Sequence, residues 1–178
     1  MNAPTGHGND QAFMLPFNLT LMTTIVIVRH GEAEPEAPGV EDDKRALVKK
    51  GQKQMRRVAS FLEEMGLEPD VVLSSPMLRA VQSAETILDE MGLEELKVET
   101  LDELLPNSDP SPLVAKLKEH QGVALVVGHM PSLSALVKAL TGSEVDVKKG
   151  GVVVVEHDPL ENRTSLELLL NQKVLKLI

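Results

Sequence analysis

Three short polar runs have the residue types and spacing to act on an anionic group. They are Arg29-His30-Gly31, Arg79 in the run Ser-Ser-Pro-Met-Leu-Arg-Ala, and Gly128-His129. A neutral imidazole is a good nucleophile near neutral pH because its ordinary pKa is about 6.5. A guanidinium fork matches phosphate oxygens, and amides at a helix start favour an anion. These types suit phosphoryl transfer, with His30 as the nucleophile and Arg29, Arg79 and His129 neutralising the phosphate oxygens.

The remaining parts of such a site are less strongly indicated. Gly31 lets the backbone approach a ligand without a Cβ in the way, and Ser75 completes the predicted phosphate-binding set. A proton donor for the leaving group is often required. Glu103, in Leu-Asp-Glu-Leu-Leu-Pro, is the first candidate and Asp109 the second. The identity of the donor stays open, because a solvated loop charge is the ordinary state of any one carboxylate in an acidic chain.

Other phosphate chemistries have weaker support. The chain lacks cysteine, which excludes a thiol nucleophile and a zinc-thiolate site. Two histidines with carboxylates can hold a metal, but His30 and His129 are far apart and no HxH or HxxxH pair occurs. There is also no GxxxxGK[ST] run of the kind that binds nucleoside triphosphates. We therefore expect neither a metal nor another cofactor.

The elements that must position these residues alternate between strand and helix. Short apolar, β-branched runs predict strands, and apolar stripes with helical spacing predict helices. This order predicts an α/β fold, a three-layer sandwich with a mostly parallel central sheet and helices on both faces. Ligands of such sheets bind beyond the carboxyl ends of the strands, where all three polar runs fall. The predicted strands are 23–28, 71–73, 96–100, 123–127, 151–156 and 164–170, and the predicted helices are 46–65, 77–91, 112–120 and 131–141.

Composition bounds the class of protein. The 178 residues, 42% of them apolar and 25% charged, suit one globular domain. A formal net charge of -9 disfavours nucleic acid as a partner, and no apolar run is long enough to span a membrane. Residues 1–21 contain no Lys or Arg and read as a poorly ordered leader or extension, so the predicted domain is 22–178. We expect a cytoplasmic location.

The motifs together resemble the histidine phosphatase superfamily, which includes the phosphoglycerate mutases, and within it the short SixA-type phosphohistidine phosphatases. The resemblance runs from about Met22 to the end of the chain. It rests on Ile-Val-Arg-His-Gly-Glu-Ala, Leu-Val-Lys-Lys-Gly, Leu-Ser-Ser-Pro-Met-Leu-Arg-Ala, Glu103 and Val-Gly-His. It implies a phosphoglycerate-mutase-like fold, a phosphorylated His30, a pocket of Arg29, Arg79 and His129, an acid at or near Glu103, and no metal.

Three departures from the family pattern bear on the substrate. Where the family often has Leu-Thr-x-x-Gly, this chain has Val48 in place of the threonine, so a helix-capping hydroxyl is missing. Acidic residues follow Gly31 where mutases typically carry an asparagine. The stretch between Arg79 and His129 is short, which predicts an open site. We therefore expect a phosphorylated protein, most of all phosphohistidine, as the substrate. A small phosphate ester, a mutase-like reaction and a non-catalytic phosphoprotein-binding module stay as alternatives.

Overall fold

The computed structural model describes residues 22–178, so the predicted leader at 1–21 lies outside the described residues. A six-stranded sheet runs through the domain in the order β3-β2-β4-β1-β5-β6. The first four strands in this order are parallel, and β5 runs antiparallel to both of its neighbours. The sheet is therefore mostly parallel, as predicted. The strands are β1 Thr23–Arg29, β2 Val71–Ser74, β3 Val98–Thr100, β4 Gly122–Gly128, β5 Val152–Asp158 and β6 Arg163–Leu170.

Helices cover both faces of this sheet. Alternation along β1 divides the core, because successive strand side chains point to opposite faces. Val26 and Val28 pack with α1 and α2, whereas Ile25 and Ile27 pack with α3 and α4. This arrangement confirms the three-layer α/β prediction. In the described part of the chain, no helix is long and apolar enough to cross a membrane. The helices are α1 Lys49–Glu64, α2 Leu78–Glu90, α3 Ser111–Glu119, α4 Ser132–Thr141 and α5 Gln172–Leu175.

Helix α1 begins three residues later than the sequence pattern predicts. Leu47 forms an isolated antiparallel bridge with Ala33, and the Val48 amide donates to the Glu32 carbonyl at 3.1 Å. These contacts hold residues 46–48 extended, so the helical apolar stripe cannot extend back through them. The short helix α5 and two 3-10 turns, Asp42–Lys44 and Asp102–Leu104, carry no periodic pattern that would predict them.

The order of the strands brings the three polar runs to one edge. Strands β2, β4 and β1 are adjacent and parallel, and their registers pair Arg29 with Gly128 and Ser74 with Val127. Residues that follow these three strands therefore emerge side by side. The carboxyl edge of a parallel sheet is the expected position for a ligand site, and the topology explains why distant motifs meet there.

Candidate active site

A cavity of about 420 Å³ lies at this edge of the sheet. Four of the residues predicted for phosphate chemistry line it together: Arg29, His30, Arg79 and His129. The rings of the two histidines are close, with centroids 4.8 Å apart. The predicted convergence is therefore present in the structure. The other lining residues are Ala33, Glu36, Asp42, Arg45, Pro106, Met130 and Lys149.

The His30 ring is held in one tautomer. Its Nδ1 lies 2.7 Å from the carbonyl oxygen of Gly31, and a carbonyl only accepts, so Nδ1 carries the proton. The free lone pair is then on Nε2. The pKa of His30 is lowered to about 4, mainly by burial and in addition by the positive charges of Arg79 and Arg29, against the raising effect of the Gly31 hydrogen bond. The ring is neutral at physiological pH, which is the state a nucleophile needs.

His129 presents an unpaired ring nitrogen at the same place. Its side chain is buried, and Nε2 lies 2.9 Å from Ser75 Oγ, while Nδ1 has no partner within the described residues. Ser75 Oγ also accepts from the Met77 amide at 3.3 Å, so its own proton is free to donate to Nε2. Nδ1 then carries the ring proton and can donate to an anion. The pKa of His129 is lowered to about 3, mainly by burial and in addition by the nearby His30 and Arg79.

Arg79 is buried, and part of its guanidinium is already occupied. Nη1 donates to the Asp42 carbonyl at 2.6 Å, and Nη2 donates to Asp42 Oδ2 at 2.9 Å. Arg45 Nε donates to the other carboxylate oxygen, Oδ1, at 2.8 Å. Burial raises the pKa of Asp42, but the hydrogen bonds from Arg45 and Arg79 outweigh it, and the net pKa lies below its ordinary value. Sequence reasoning missed Asp42, which nothing local distinguishes among 27 acidic residues.

Arg29 and Lys149 supply further positive charge to the cavity. Arg29 Nη1 donates to the Val147 carbonyl at 2.9 Å, which fixes the guanidinium. Lys149 Nζ lies 2.6 Å from Glu32 Oε1. Burial lowers the pKa of Arg29, with Asp146 and Glu32 opposing, but a guanidinium stays charged in proteins. Three fixed or tethered cations, Arg29, Arg79 and Lys149, thus surround the His30 ring.

Gly31 and Ser75, both predicted to bind phosphate, lie next to the cavity but are not among its lining residues. A Cβ on Gly31 would stand 2.8 Å from the Gly51 carbonyl oxygen, so the glycine allows close packing on α1 rather than on a ligand. Its amide donates to Ser83 Oγ at 3.1 Å and is not free for an anion. Ser75 is fully buried and holds His129 instead.

Glu103, the predicted proton donor, does not line this cavity, and its role stays a prediction. The 3-10 turn Asp102–Leu104 points Leu104 into the core and leaves Glu103 in a separate surface depression. Asp109, the second candidate, lines the same depression and accepts from the Ser111 amide at 3.0 Å, at the start of α3. The carboxylates that do line the cavity are Glu36 and Asp42.

Metal ligation has no support from the side-chain arrangement. Across residues 22–178, no group of three or more His, Cys, Asp and Glu side chains is placed to hold an ion. The cations that surround His30 are instead of the kind that neutralises phosphate oxygens.

Comparisons with known proteins agree with this site. Residues 25–105 match the histidine phosphatase superfamily (branch 1). The chain is 36% identical to the phosphohistidine phosphatase SixA of Escherichia coli over 124 residues, which are 67% of this chain and 75% of that protein. A structure of the protein histidine phosphatase SixA complexed with tungstate superposes with a TM-score of 0.77 at 28% identity, covering 85% of this chain and 99% of that one. The chain therefore belongs to the histidine phosphatase superfamily, and it is a phosphatase.

Similarity to the mutase branch is narrower. A 2,3-bisphosphoglycerate-dependent phosphoglycerate mutase of Thermobifida fusca is 39% identical over 82 residues, which are 43% of this chain but only 32% of the mutase. The match to SixA spans a much larger share of both chains.

Proposed function

We propose that this protein is a phosphohistidine phosphatase in which His30 Nε2 attacks the phosphorus of a phosphorylated protein. The observation that carries the proposal is the single cavity in which a neutral His30, with Nδ1 bonded to the Gly31 carbonyl, is surrounded by Arg29, Arg79 and His129. A lone pair, fixed cations and a buried donor are the parts that in-line phosphoryl transfer requires. Tungstate, the ligand of the SixA structure, is an oxyanion of the same kind as phosphate.

The proposed reaction has two steps. In the first, the Nε2 lone pair of His30 forms a bond to phosphorus, and the bond from phosphorus to the leaving group breaks, with its electron pair passing to the leaving group. Arg29, Arg79 and the Nδ1 proton of His129 stabilise the three equatorial oxygens. In the second step, water attacks the phosphorylated His30, inorganic phosphate leaves, and the Nε2 lone pair returns to the ring.

We propose a phosphoamidate rather than a phosphate ester as the substrate because of the state of the carboxyl groups that line the cavity. An ester leaves as an alkoxide unless a positioned acid protonates it. Asp42 is held ionised by Arg45 and Arg79, and the Glu36 side chain is 86% exposed with Arg45 at 3.8 Å. Phosphohistidine needs less help, because the second nitrogen of the leaving imidazole can take a proton from water before the bond to phosphorus breaks. A cavity at which none of the described residues positions an acid therefore suits phosphohistidine.

The decisive experiment replaces His30 by Ala and measures hydrolysis of a phosphohistidine peptide and of p-nitrophenyl phosphate. We expect kcat to fall at least about a thousandfold on both, since removal of a nucleophile leaves only binding effects. His120→Ala is the matched control, because His120 lies away from the cavity beside Asp70 and should keep wild-type activity.

Labelling separates the enzyme from the alternatives. Brief exposure to radiolabelled substrate should place an acid-labile phosphoryl group on His30. A module that only binds phosphoprotein would show affinity without this label. Retention of near-wild-type rates by His30→Ala would refute the mechanism, and a preference for p-nitrophenyl phosphate or a bisphosphoglycerate over phosphohistidine would refute the substrate. We also propose that the protein acts in the cytoplasm, as predicted from the sequence.

A further inference from the structure

A concave surface next to the catalytic cavity carries five cations. This surface, called the basic groove below, has a volume of about 500 Å³ and lies between the start of α1 and the end of the chain. No acidic residue is among its lining residues, although the chain as a whole has a net charge of -9. Such a concentration of one sign in an acidic protein indicates an anionic partner. The cations are Lys49, Lys50, Lys53, Arg57 and Lys176, and the other lining residues are Gln54 and Gln172.

Within residues 22–178, the fold leaves three of these five charges without a partner, whereas Lys50 lies 3.4 Å from Glu32 and Arg57 donates to Gln172 at 3.1 Å. Lys49 and Lys50 open α1, where the partial positive charge of the helix end disfavours cations, and its first turn contains no acidic residue. Val48 supplies no side-chain cap to this end. Lys49, Lys53 and Lys176 have neither an ion pair nor a side-chain hydrogen bond to any residue in the range 22–178. The position of Lys49 and Lys50 therefore opposes the stability of α1, and the charges of Lys49, Lys53 and Lys176 remain available to a ligand.

The basic groove adjoins the catalytic cavity. Glu32 joins the two, because its carboxylate lies 3.4 Å from Lys50 in the groove and 2.6 Å from Lys149 at the cavity rim. The Glu32 amide donates to Gln54 Oε1 at 2.7 Å, which ties this connection to α1. Two lysines outweigh the one carboxylate at the junction. A ligand with its phosphoryl group at His30 can thus extend past this junction, where the net charge is positive, into the basic groove.

We infer that the basic groove binds an acidic segment of the phosphoprotein substrate, next to the phosphorylated histidine. The inference rests on the proposed function and names which phosphoproteins the site selects. Four of the five cations are lysines, which act as mobile point charges and suit flexible carboxylates. No aromatic side chain lines the groove, so it lacks the stacking platform that single-stranded nucleic acid uses.

The test uses two phosphohistidine peptides that differ only in the residues on either side of the histidine, glutamates in one and serines in the other. In the wild-type enzyme we expect kcat/KM about tenfold higher for the acidic peptide, through KM, as is typical of several exposed charge pairs. In Lys53→Glu/Lys176→Glu this preference should disappear, while the serine peptide is hydrolysed as before. Rising salt concentration should likewise reduce the preference of the wild-type enzyme for the acidic peptide.

The matched control is Lys97→Glu/Lys118→Glu. Both lysines likewise have no ion pair or side-chain hydrogen bond within the described residues and lie outside the groove, and this double variant changes the net charge equally. It should keep the full preference for the acidic peptide. Equal loss in both double variants would show a general charge effect and overturn the inference, as would an unchanged preference in Lys53→Glu/Lys176→Glu. Thermal melts confirm that both variants fold.

A binding measurement separates failure of the groove from failure of the proposed function. A fluorescein-labelled, unphosphorylated glutamate peptide should bind the wild-type and control proteins and bind Lys53→Glu/Lys176→Glu about tenfold more weakly. If the peptide binds equally to all three, the groove inference fails whatever the catalytic result. If the wild-type enzyme cleaves p-nitrophenyl phosphate but neither phosphohistidine peptide, the proposed substrate fails, and with it the role of the groove in substrate docking.

Discussion

Replacement of Asp42 by Asn should strengthen the binding of phosphate. The Asp42 carboxylate occupies Arg79 Nη2 at 2.9 Å, so a phosphate oxygen has to displace it before it can use that donor. An asparagine at this position keeps the shape of the side chain but loses its charge. The hydrogen bond from Arg79 Nη1 to the backbone carbonyl of Asp42, at 2.6 Å, does not involve the carboxylate and should keep the guanidinium in place.

The size of the effect follows from the exposure of the pair. A charged hydrogen bond contributes about 1.5–3 kcal/mol when desolvated, whereas exposed ion pairs contribute about 0.2–1 kcal/mol. The Arg79 side chain is 5% exposed but that of Asp42 is 46% exposed. We therefore expect the Arg79–Asp42 ion pair to oppose phosphate binding by about 1 kcal/mol. Since about 1.4 kcal/mol is tenfold, the inhibition constant of inorganic phosphate and the KM for p-nitrophenyl phosphate should each fall about fivefold.

Competitive inhibition by inorganic phosphate measures this directly. Asp43→Asn is the matched control. It removes the same charge from the neighbouring residue, and the Asp43 side chain has no ion-pair or hydrogen-bond partner in the described range. It should change the inhibition constant by less than about twofold. An inhibition constant that is unchanged or higher in Asp42→Asn would mean that Asp42 orients Arg79 for phosphate rather than competing with it. An equal fall in both variants would show only a change in the general field.

Three further predictions concern the histidines and the proton donor. Because His30 and His129 have pKa values lowered to about 4 and about 3, the unfolded chain binds more protons below about pH 6.5. The free energy of unfolding should therefore fall as pH drops through that window, measured by urea titration, and kcat/KM should decline as His30 is protonated. Ser75→Ala should lower kcat about tenfold or more with little change in KM, because His129 loses the partner that sets its tautomer. Steady-state kinetics on the folded variant test this. Glu103→Gln should keep kcat within about twofold on a phosphohistidine peptide, whereas a loss of about a hundredfold would restore Glu103 as the general acid.

The parts of this site that sequence could predict are those that follow strands. Arg29, His30 and His129 stand at the ends of apolar runs, and the edge rule for parallel sheets places such residues together. Arg79 was predictable because it stands in the first turn of the helix that follows a strand. Each of these depends on periodicity, which local sequence records.

The parts that sequence could not predict depend on contacts between segments distant in the chain. The position of Glu103 follows from the burial of Leu104 under α4, and the role of Gly31 follows from its contact with Gly51 in α1. Asp42 reaches Arg79 across 37 residues of sequence. No window of local sequence contains both members of these pairs.

The distribution of charge on the protein links the position of the active site to the kind of substrate that it binds. Of the 18 Lys and Arg residues, four line the catalytic cavity and five line the basic groove, so half of all cations belong to two adjoining concavities. At physiological ionic strength the Debye length is about 8 Å, so the acidic remainder of the surface is screened from a ligand at the cavity, while the nearby cations are not. A small phosphate ester contacts only the cavity cations. A phosphoprotein with an acidic flank contacts both sets, so salt should weaken its binding more than that of the ester. The ratio of the two salt dependences therefore reports whether the enzyme recognises protein around the phosphate or the phosphate alone.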